Sequence, residues 1–326
     1  MTATTRRRAR AAAARRRDEI EPTPWPLALL CGGGGGLAAL LAFPPYDLWM
    51  LLPLSLMLLS AGLLVRSTAL ALLVSLLWGL AFFVPLTAWA ATYAGSMPWV
   101  ALGVFEALYI VLFGALARTV MIRRGLTVSS ALIVAALWAG VETLRSHFPW
   151  GGLPWGASGF ALEDSPLLNL GPWVGMAGLA FAVALLGQIL LHGVLALLGR
   201  RHRGLTGFSG VWSLAIAVAA VLATVIVPHP VNRAPEGRPT MTVAGVQGSM
   251  DPIDPVTLQM PEDVFANHLE ATSQVIERAR SEDQELDLIV WPEDSTGWDP
   301  RDNPQMLQEI SQLAAEAGAP ILLGTQ

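Results

Sequence analysis

Glu293 is the residue of this sequence whose type and position best fit a chemical role. It lies in Pro292-Glu293-Asp294-Ser295, directly after the apolar run 286–291. An acidic residue just past the carboxyl end of a buried strand is a typical catalytic position in α/β sheets, where a carboxylate can serve as a general base. The same residue could instead cap a helix or close a turn, so the motif alone leaves both roles open.

Groups that could act beside this carboxylate are scarce. All 20 basic residues are Arg, and the one cysteine, Cys31, lies in an apolar segment. A disulfide within this sequence is therefore excluded. The five histidines lack the spacing of metal ligands: His147, His192, His202, His229 and His268. We therefore predict neither a metal site nor a cofactor.

Three further charged residues lie inside apolar segments, where a charge is costly and usually marks a function or a paired structural role. Glu142 and Arg145 are three residues apart, which places them on one helix face and predicts an ion pair between them. The alternative is that they hold a lipid headgroup. Glu106 has no obvious partner in its own helix, so we expect it to make an interhelical contact.

An aromatic and proline-rich segment, 147–156, follows Arg145 and contains Phe148, Pro149 and Trp150. Tryptophan favours the membrane–water interface, so this segment could be part of an interfacial aromatic belt. It could equally shape the mouth of a cavity that lipids enter. Composition does not decide between these two interpretations.

The elements that must position these residues fall into two parts. The chain is 53% hydrophobic and 14% charged with a mean hydropathy of +0.52, whereas soluble domains carry roughly 25% charged residues. Since a spanning helix needs about 20 apolar residues, we predict seven membrane spans. They are 26–43, 48–65, 69–92, 98–121, 128–145, 170–198 and 211–228. The first two are short, and together they could form a hairpin that does not cross fully.

Arginine clusters predict the orientation of these spans. Seven Arg residues precede the first span, and others follow the second, fourth and sixth, whereas the remaining connections carry none. Cytoplasmic loops are enriched in basic residues, so we expect a basic cytoplasmic tail over 1–25 and an outer face for the residues after 228. This topology signal also accounts for the basic tail better than a nucleic-acid-binding arm does, and we expect no nucleic-acid partner.

After a linker at 229–240, residues 241–326 alternate between strand and helix patterns. Runs 241–248, 286–291 and 320–324 read as buried strands, and 261–280 and 304–317 read as helices. Strands that alternate with helices imply an α/β sheet. This part also holds the acidic stretch 282–294.

Several short pieces then resemble, in order, the apolipoprotein N-acyltransferases, a family of integral membrane enzymes of bacterial lipoprotein maturation. The pieces are Phe43-Pro44-Pro45-Tyr46-Asp47-Leu48-Trp49, Trp78-Gly79, Trp138 through Glu142 to Arg145, Phe148-Pro149-Trp150, Val246-Gln247-Gly248 and Val290-Trp291-Pro292-Glu293. The last is shared by the nitrilase-like amidase superfamily. The resemblance is to the order and setting of the pieces, and it covers the chain from residue 27 onward.

The resemblance implies a helical membrane domain of about seven helices followed by the N-terminal part of an α/β nitrilase-like αββα sandwich at 241–326. It also implies a Glu–Lys–Cys triad. The Cys thiolate would take an acyl chain from a phospholipid as a thioester, and the α-amine of a diacylglyceryl apolipoprotein would then receive it. Glu293 matches the general base of the triad. Substrate contacts would come from Glu142, Arg145, Phe148, Pro149, Trp150 and Gln247.

This sequence departs from the family pattern in two ways. The family places its Lys and Cys beyond the third predicted strand, and the sequence supplies neither. After Gln247-Gly248, where relatives often carry Lys-Trp, it has Asp251-Pro252-Ile253-Asp254-Pro255. We therefore expect an incomplete copy that is inactive as written, with an outer domain that does not fold stably because a half sheet leaves an open edge.

Other functions fit parts of the sequence. A membrane-tethered amidase or nitrilase would explain the Glu293 motif, although a soluble substrate needs no more than one anchor. A non-catalytic scaffold or remnant would explain the missing Lys and Cys. A transporter fits least, because the predicted spans carry few polar residues. The expected partners are a phospholipid acyl donor, an apolipoprotein acceptor and the bacterial inner membrane.

Overall fold

The computed structural model describes residues 21–200, 209–226, 237, 239–248 and 263–325. Several predicted features lie wholly or partly outside these ranges, among them the basic tail, the Arg cluster after the sixth span, the linker, the segment 251–255, and one end each of the span 211–228 and the helix 261–280. The described residues form two compact units, one of apolar helices and one with a small sheet.

Eight described α-helices precede the sheet, and all of them belong to the helical unit apart from residues 92–94. They are α1 (Trp25–Leu40), α2 (Leu51–Leu63), α3 (Thr68–Leu86), α4 (Ala90–Ala94), α5 (Ser96–Arg124), α6 (Val128–Arg145), α7 (Gly171–Leu197) and α8 (Ser209–Val225). Short 3₁₀ turns at Phe160–Leu162 and Pro166–Leu170 lie between α6 and α7. Gly175, with φ +62°, interrupts the helical geometry of α7.

Four of these helices are long and apolar enough to cross a membrane, namely α3, α5, α6 and α7 with its preceding turn. The other apolar helices, α1, α2 and the 212–225 part of α8, have 10–17 residues. Every predicted span therefore has a helix, but the count of seven spans stays a prediction. The first two helices, α1 and α2, are joined through the double-proline turn, as the sequence predicts for a helical hairpin.

Hydrogen bonds near the helix ends define two ends of the bundle. At one end, the Arg118 guanidinium donates to the carbonyls of Val65 and Arg66, both at 2.9 Å, and Thr23 N–H donates to Leu64 O at 2.8 Å. We call this the arginine end. The connections after α1, α3 and α6 lie at the opposite end, where Trp99 at the start of α5 donates from Nε1 to a carbonyl of α3. We call this the loop end.

Glycines let α1 and α3 approach closely. A Cβ on Gly32 would lie 2.7 Å from Val74 O, and one on Gly35 would lie 2.8 Å from Cδ1 of Trp78. Both distances are shorter than side-chain packing permits, so only hydrogen fits at these two positions. Small residues that bring helix backbones together are the usual packing device in membranes.

A buried polar link joins the same helices to α2. Trp78 is fully buried and donates from Nε1 to Ser55 Oγ at 2.9 Å, and Ser55 Oγ donates to Gly35 O at 2.6 Å. The indole also packs on Phe82 and Trp138, with centroid distances of 5.3 and 5.7 Å. The first three helices and α6 therefore meet on one tryptophan.

The second unit is a three-stranded parallel sheet in the order β1-β2-β3. The elements are β1 (Val243–Gly245), α9 (Asp263–Ser281), β2 (Leu288–Val290), α10 (Pro304–Ala317) and β3 (Ile321–Leu322). This is the strand–helix alternation predicted from the sequence. Asn303 Oδ1 caps α10, and Gly318 ends it in the left-handed conformation at φ +69°.

One face of this sheet packs against the helices. Ile289 and Trp291 are buried there with Val246. In the neighbouring positions of the pleat, the side chains of Val243 and Leu322 are 50% and 59% exposed. Successive side chains of a strand alternate between faces, so the described part of the sheet is covered on one side.

The glycine contact gives a matched stability prediction. Gly32→Ala should destabilise the helical unit by about 1–3 kcal/mol, because the new methyl group overpacks against Val74. Gly33→Ala, on the next residue, meets nothing within 4 Å and should be neutral or stabilising by up to about 1 kcal/mol. Thermal unfolding in detergent measures both, and equal effects of the two variants would contradict the packing assignment.

Candidate functional site

Arg145 is the centre of a buried polar cluster in the helical unit. Its side chain and that of Glu106 are each 3% exposed, and Nη1 lies 3.0 Å from Glu106 Oε2. The same nitrogen donates to Leu153 O at 2.7 Å and to Trp155 O at 2.9 Å. The guanidinium also lies over the ring of Phe83, 5.0 Å from its centroid. One side chain therefore joins α5, α6 and the connection that follows α6.

Glu142 makes a separate set of bonds one turn earlier on α6. Its Oε2 accepts from Ser158 N at 2.9 Å and from Ser158 Oγ at 2.5 Å. Trp138 Nε1 donates to the same Ser158 hydroxyl at 3.0 Å. Ser158 thus fixes the far part of the connection onto α6, and both of its polar groups are used.

The predicted ion pair between Glu142 and Arg145 is wrong. Their spacing does place them on one face of α6, but the guanidinium reaches toward α5 and the loop carbonyls, while the carboxylate reaches toward Ser158. The expected interhelical contact of Glu106 is confirmed, since Glu106 is the ion-pair partner. Glu106 lies 39 residues from Arg145 on a different helix. Spacing along a single helix could therefore not predict this ion pair.

A small cavity borders this cluster. It measures about 20 Å³ and is lined by Phe82, Phe83, Tyr109, Ile110, Trp138, Val141, Glu142, Arg145 and Gly156. A site of this size holds about one water molecule.

The connection after α6 carries the predicted aromatic residues. Tyr109 of α5 donates from its hydroxyl to Phe148 O at 2.6 Å. Phe148 is 62% exposed and Trp150, at φ +51°, is 97% exposed. Gly152 adopts φ +73° and lies so close to the backbone of residues 145–147 that a Cβ would collide with it. The backbone of this segment is thus fixed by Tyr109 and by close packing at Gly152, while the side chains of Phe148 and Trp150 are exposed.

Glu293 and Gln247 lie in the other unit, at the carboxyl ends of β2 and β1. Glu293 is exposed, and its carboxylate accepts no hydrogen bond from the described residues. Its backbone packs against Gly324 after β3, where a Cβ would lie 2.8 Å from Glu293 Cα. Gln247 is exposed, and its Nε2 donates to Gly248 O at 3.1 Å. Both side chains therefore sit at the sheet edge where ligands bind in open α/β sheets.

A buried histidine lies beside this edge, a position that the sequence did not predict. His268 is 2% exposed, and its ring lies 5.4 Å from that of Trp291. Gly248 packs directly on the imidazole, where a Cβ would meet Nδ1 at 2.5 Å. Thr272 links α9 to the residue after β2, because Trp291 Nε1 donates to the Thr272 hydroxyl at 2.9 Å. The four-residue spacing of 264, 268, 272 and 276 was the available signal for this buried helix face.

Asp299 forms an ion pair with Arg301 in the segment after Glu293. Hydrogen bonds from the Arg301 guanidinium lower the pKa of the Asp299 carboxyl below its usual range. Within the described ranges, His, Cys, Asp and Glu side chains form no group of three or more that could hold a metal ion.

Comparison with known proteins shows where this architecture occurs. Residues 35–189 match the apolipoprotein N-acyltransferase N-terminal domain. The apolipoprotein N-acyltransferase of Mycolicibacterium smegmatis is 33% identical over 301 residues, which cover 89% of this chain and 50% of that relative. The enzymes of that name from Azotobacter vinelandii and Pseudomonas syringae are 32% and 29% identical over 82% and 92% of this chain.

The matches cover 51% and 58% of those two relatives, so the chain spans about half the length of the curated relatives it matches. The matched domain contains α2, α3, α5 and α6 together with the whole Arg145 cluster, and the longer matches continue into the sheet unit. The chain is therefore similar to the apolipoprotein N-acyltransferases over most of its own length.

Proposed function

We propose that this chain contributes to a phospholipid:apolipoprotein N-acyltransferase. The observation that carries the proposal is the match of both parts of the chain to enzymes of that name. The setting agrees with the chemistry, since both substrates carry acyl chains and four helices are apolar enough to cross a membrane.

In the proposed reaction, a Cys thiolate attacks the ester carbonyl of a phospholipid and forms a thioester, and a lysophospholipid leaves with the proton that the base took from the thiol. The α-amine of the diacylglyceryl-cysteine then attacks the thioester, an amide forms, and the thiol is regenerated. Each step needs one proton acceptor. Glu293 is the proposed base, because it is exposed at the sheet edge with no competing hydrogen bond from a described residue.

The other two groups of the proposed triad are not supplied by this sequence. It contains no lysine, and Cys31 is buried in α1. The proposed sandwich fold would also need a second layer on the exposed face of the sheet, where Val243 and Leu322 lie. The proposal therefore concerns a protein in which this chain is joined to those groups.

The proposed placement is the bacterial inner membrane, with the N-terminus in the cytoplasm and 241–326 on the outer face. The Arg residues at the arginine end support it, because basic residues favour the cytoplasmic side. The proposed domains are a basic tail at 1–25, a membrane domain at 26–228, a linker at 229–240 and a nitrilase-like part from 241.

Substrate contacts are proposed for Phe148, Pro149, Trp150 and Gln247, and their exposure supports this for Phe148, Trp150 and Gln247. Glu142 and Arg145 are buried to more than nine-tenths and hydrogen-bonded within the protein. For these two we propose an indirect role, in which they position the segment 153–158 that they bind. Direct contact with a substrate would be limited to a group small enough to enter the cavity.

A chimera tests the proposed function. Residues 1–326 are joined in frame to the C-terminal half of the Mycolicibacterium smegmatis relative and expressed in cells depleted of their own N-acyltransferase. We expect the chimera to restore N-acylation of lipoproteins, measured by mass spectrometry of N-terminal peptides. Glu293→Gln should lower that transfer by at least a factor of about 10² because the base is lost.

The matched control is Glu282→Gln, which removes an exposed carboxylate of the same unit that pairs with Arg278 and should leave transfer unchanged. Full activity of the Glu293→Gln chimera would refute the assignment of the base. A chimera that inserts into the membrane but acylates nothing, even with Glu293 intact, would count against the proposed function itself.

A further inference from the structure

Six large aromatic side chains are exposed around the loop end of the helical unit. Their exposed fractions are 43% for Trp89, 62% for Phe148, 97% for Trp150, 50% for Trp155, 55% for Phe160 and 62% for Trp173. We call this set the aromatic rim. Trp89 and Trp155 touch edge to face at a centroid distance of 5.5 Å. Exposed apolar surface on this scale marks a site of contact with another phase or molecule.

The charge around the rim indicates what that contact is. Residues 148–162 contain no Asp, Glu, Lys or Arg, and the first charges after them are the exposed Glu163 and Asp164. Arg66, Arg118, Arg123 and Arg124 lie at or near the opposite end. A protein partner recognised through this surface would find no charge to pair with in 148–162. Indole rings suit the headgroup layer of a bilayer, because each has a large apolar body and one N–H donor.

The rim is also continuous with surface suited to acyl chains. Trp173 begins the exposed side of α7, and Val174 and Met176 follow it with exposures of 45% and 42%. On α7, the rim residue Trp173 is therefore followed by exposed apolar side chains that favour a hydrocarbon environment.

The backbone beneath the rim is fixed by buried side chains. Arg145 donates to Leu153 O and Trp155 O, and Tyr109 donates to Phe148 O. Three carbonyls of the segment are thus bound by two side chains that are each at most 9% exposed. The aromatic rings of a segment held in this way project at a set height and lose less entropy when they are ordered by a partner.

We propose that the aromatic rim lies in the headgroup layer of the leaflet at the loop end, where the Arg145–Tyr109 clamp sets the depth of the bundle in the bilayer. The occupant is the phospholipid bilayer itself. The proposal rests on the proposed membrane placement, but it does not depend on which side of the membrane the loop end faces.

The single cysteine makes a direct measurement simple. In a Cys31→Ala background, Trp150→Cys is labelled with an environment-sensitive fluorophore, and the protein is reconstituted in phosphatidylcholine vesicles. Spin labels are placed at the lipid headgroup or deep on the acyl chain. The headgroup spin label should quench the residue-150 fluorophore at least twofold more strongly than the deep one.

Leu112→Cys is the reference position, since it lies in the middle of α5 and is 41% exposed. Its fluorophore should be quenched most by the deep spin label. If neither spin label quenches residue 112, the membrane placement fails. If residue 112 is quenched but residue 150 is reached by aqueous iodide and by neither spin label, the placement stands and the rim proposal is overturned. Protection of residue 150 that grows with the protein-to-lipid ratio would identify a second copy as the occupant and also overturn it.

A conservative variant tests the clamp. Tyr109→Phe removes the hydroxyl that binds Phe148 O and should bring the ratio of headgroup to deep quenching at residue 150 toward one, because the segment samples more depths. Thr119→Val is the control on the same helix, since its hydroxyl binds only Ala115 O within α5, and it should leave the ratio unchanged. An unchanged ratio in Tyr109→Phe would show that the hydroxyl does not set the depth.

Discussion

The ion pair of Arg145 with Glu106 is the interaction on which the rest of the helical unit depends. Both side chains are 3% exposed, so neither charge is compensated by water. Removing charges from water costs several kcal/mol per ion, and the cost is recovered only with good geometry and further hydrogen bonds. Here the guanidinium gains a carboxylate, two carbonyls and an aromatic face. These bonds can form together only when α5, α6 and the segment after α6 have their observed arrangement, so the ion pair stabilises that arrangement over alternative packings.

Satisfied polar groups extend from this pair through the apolar bundle. Glu142 is bound by Ser158, which also accepts from Trp138, and Trp138 packs on Trp78, which donates to Ser55. An unpaired polar group in the hydrocarbon layer cannot hydrogen-bond to water. Each donor in this series of bonds therefore specifies the position of its acceptor. The glycine contacts of α1 add the close approach that lets Trp78 reach across. Packing in the absence of a hydrophobic driving force between helices thus depends on small residues and on a few directional bonds.

The sequence predicted the features that arise from local pattern. Apolar runs located the helices, alternation located the strands, and the position of Glu293 after β2 followed from one apolar segment and its neighbours. It did not predict the partner of Arg145, because spacing along one helix identifies residues that can meet but not which of them a longer side chain prefers. Ser158 and Tyr109 were missed for the same reason, since an ordinary Ser in a loop and a Tyr in a span carry no pattern of their own. His268 was hidden by its polarity, although its spacing of four residues from Thr272 and eight from Ile276 places it on the buried face of α9.

A double-mutant cycle on Glu106 and Arg145 tests the central claim most directly. The free energy of unfolding in detergent would be measured for Glu106→Gln, Arg145→Met and the double variant. Each single change should cost about 3–5 kcal/mol, because it leaves a buried charge without its partner, and the double variant should cost no more than the worse single change. A coupling of about 2 kcal/mol or more would follow. Costs that add to within about 0.5 kcal/mol would contradict the account, since the two side chains would then act independently.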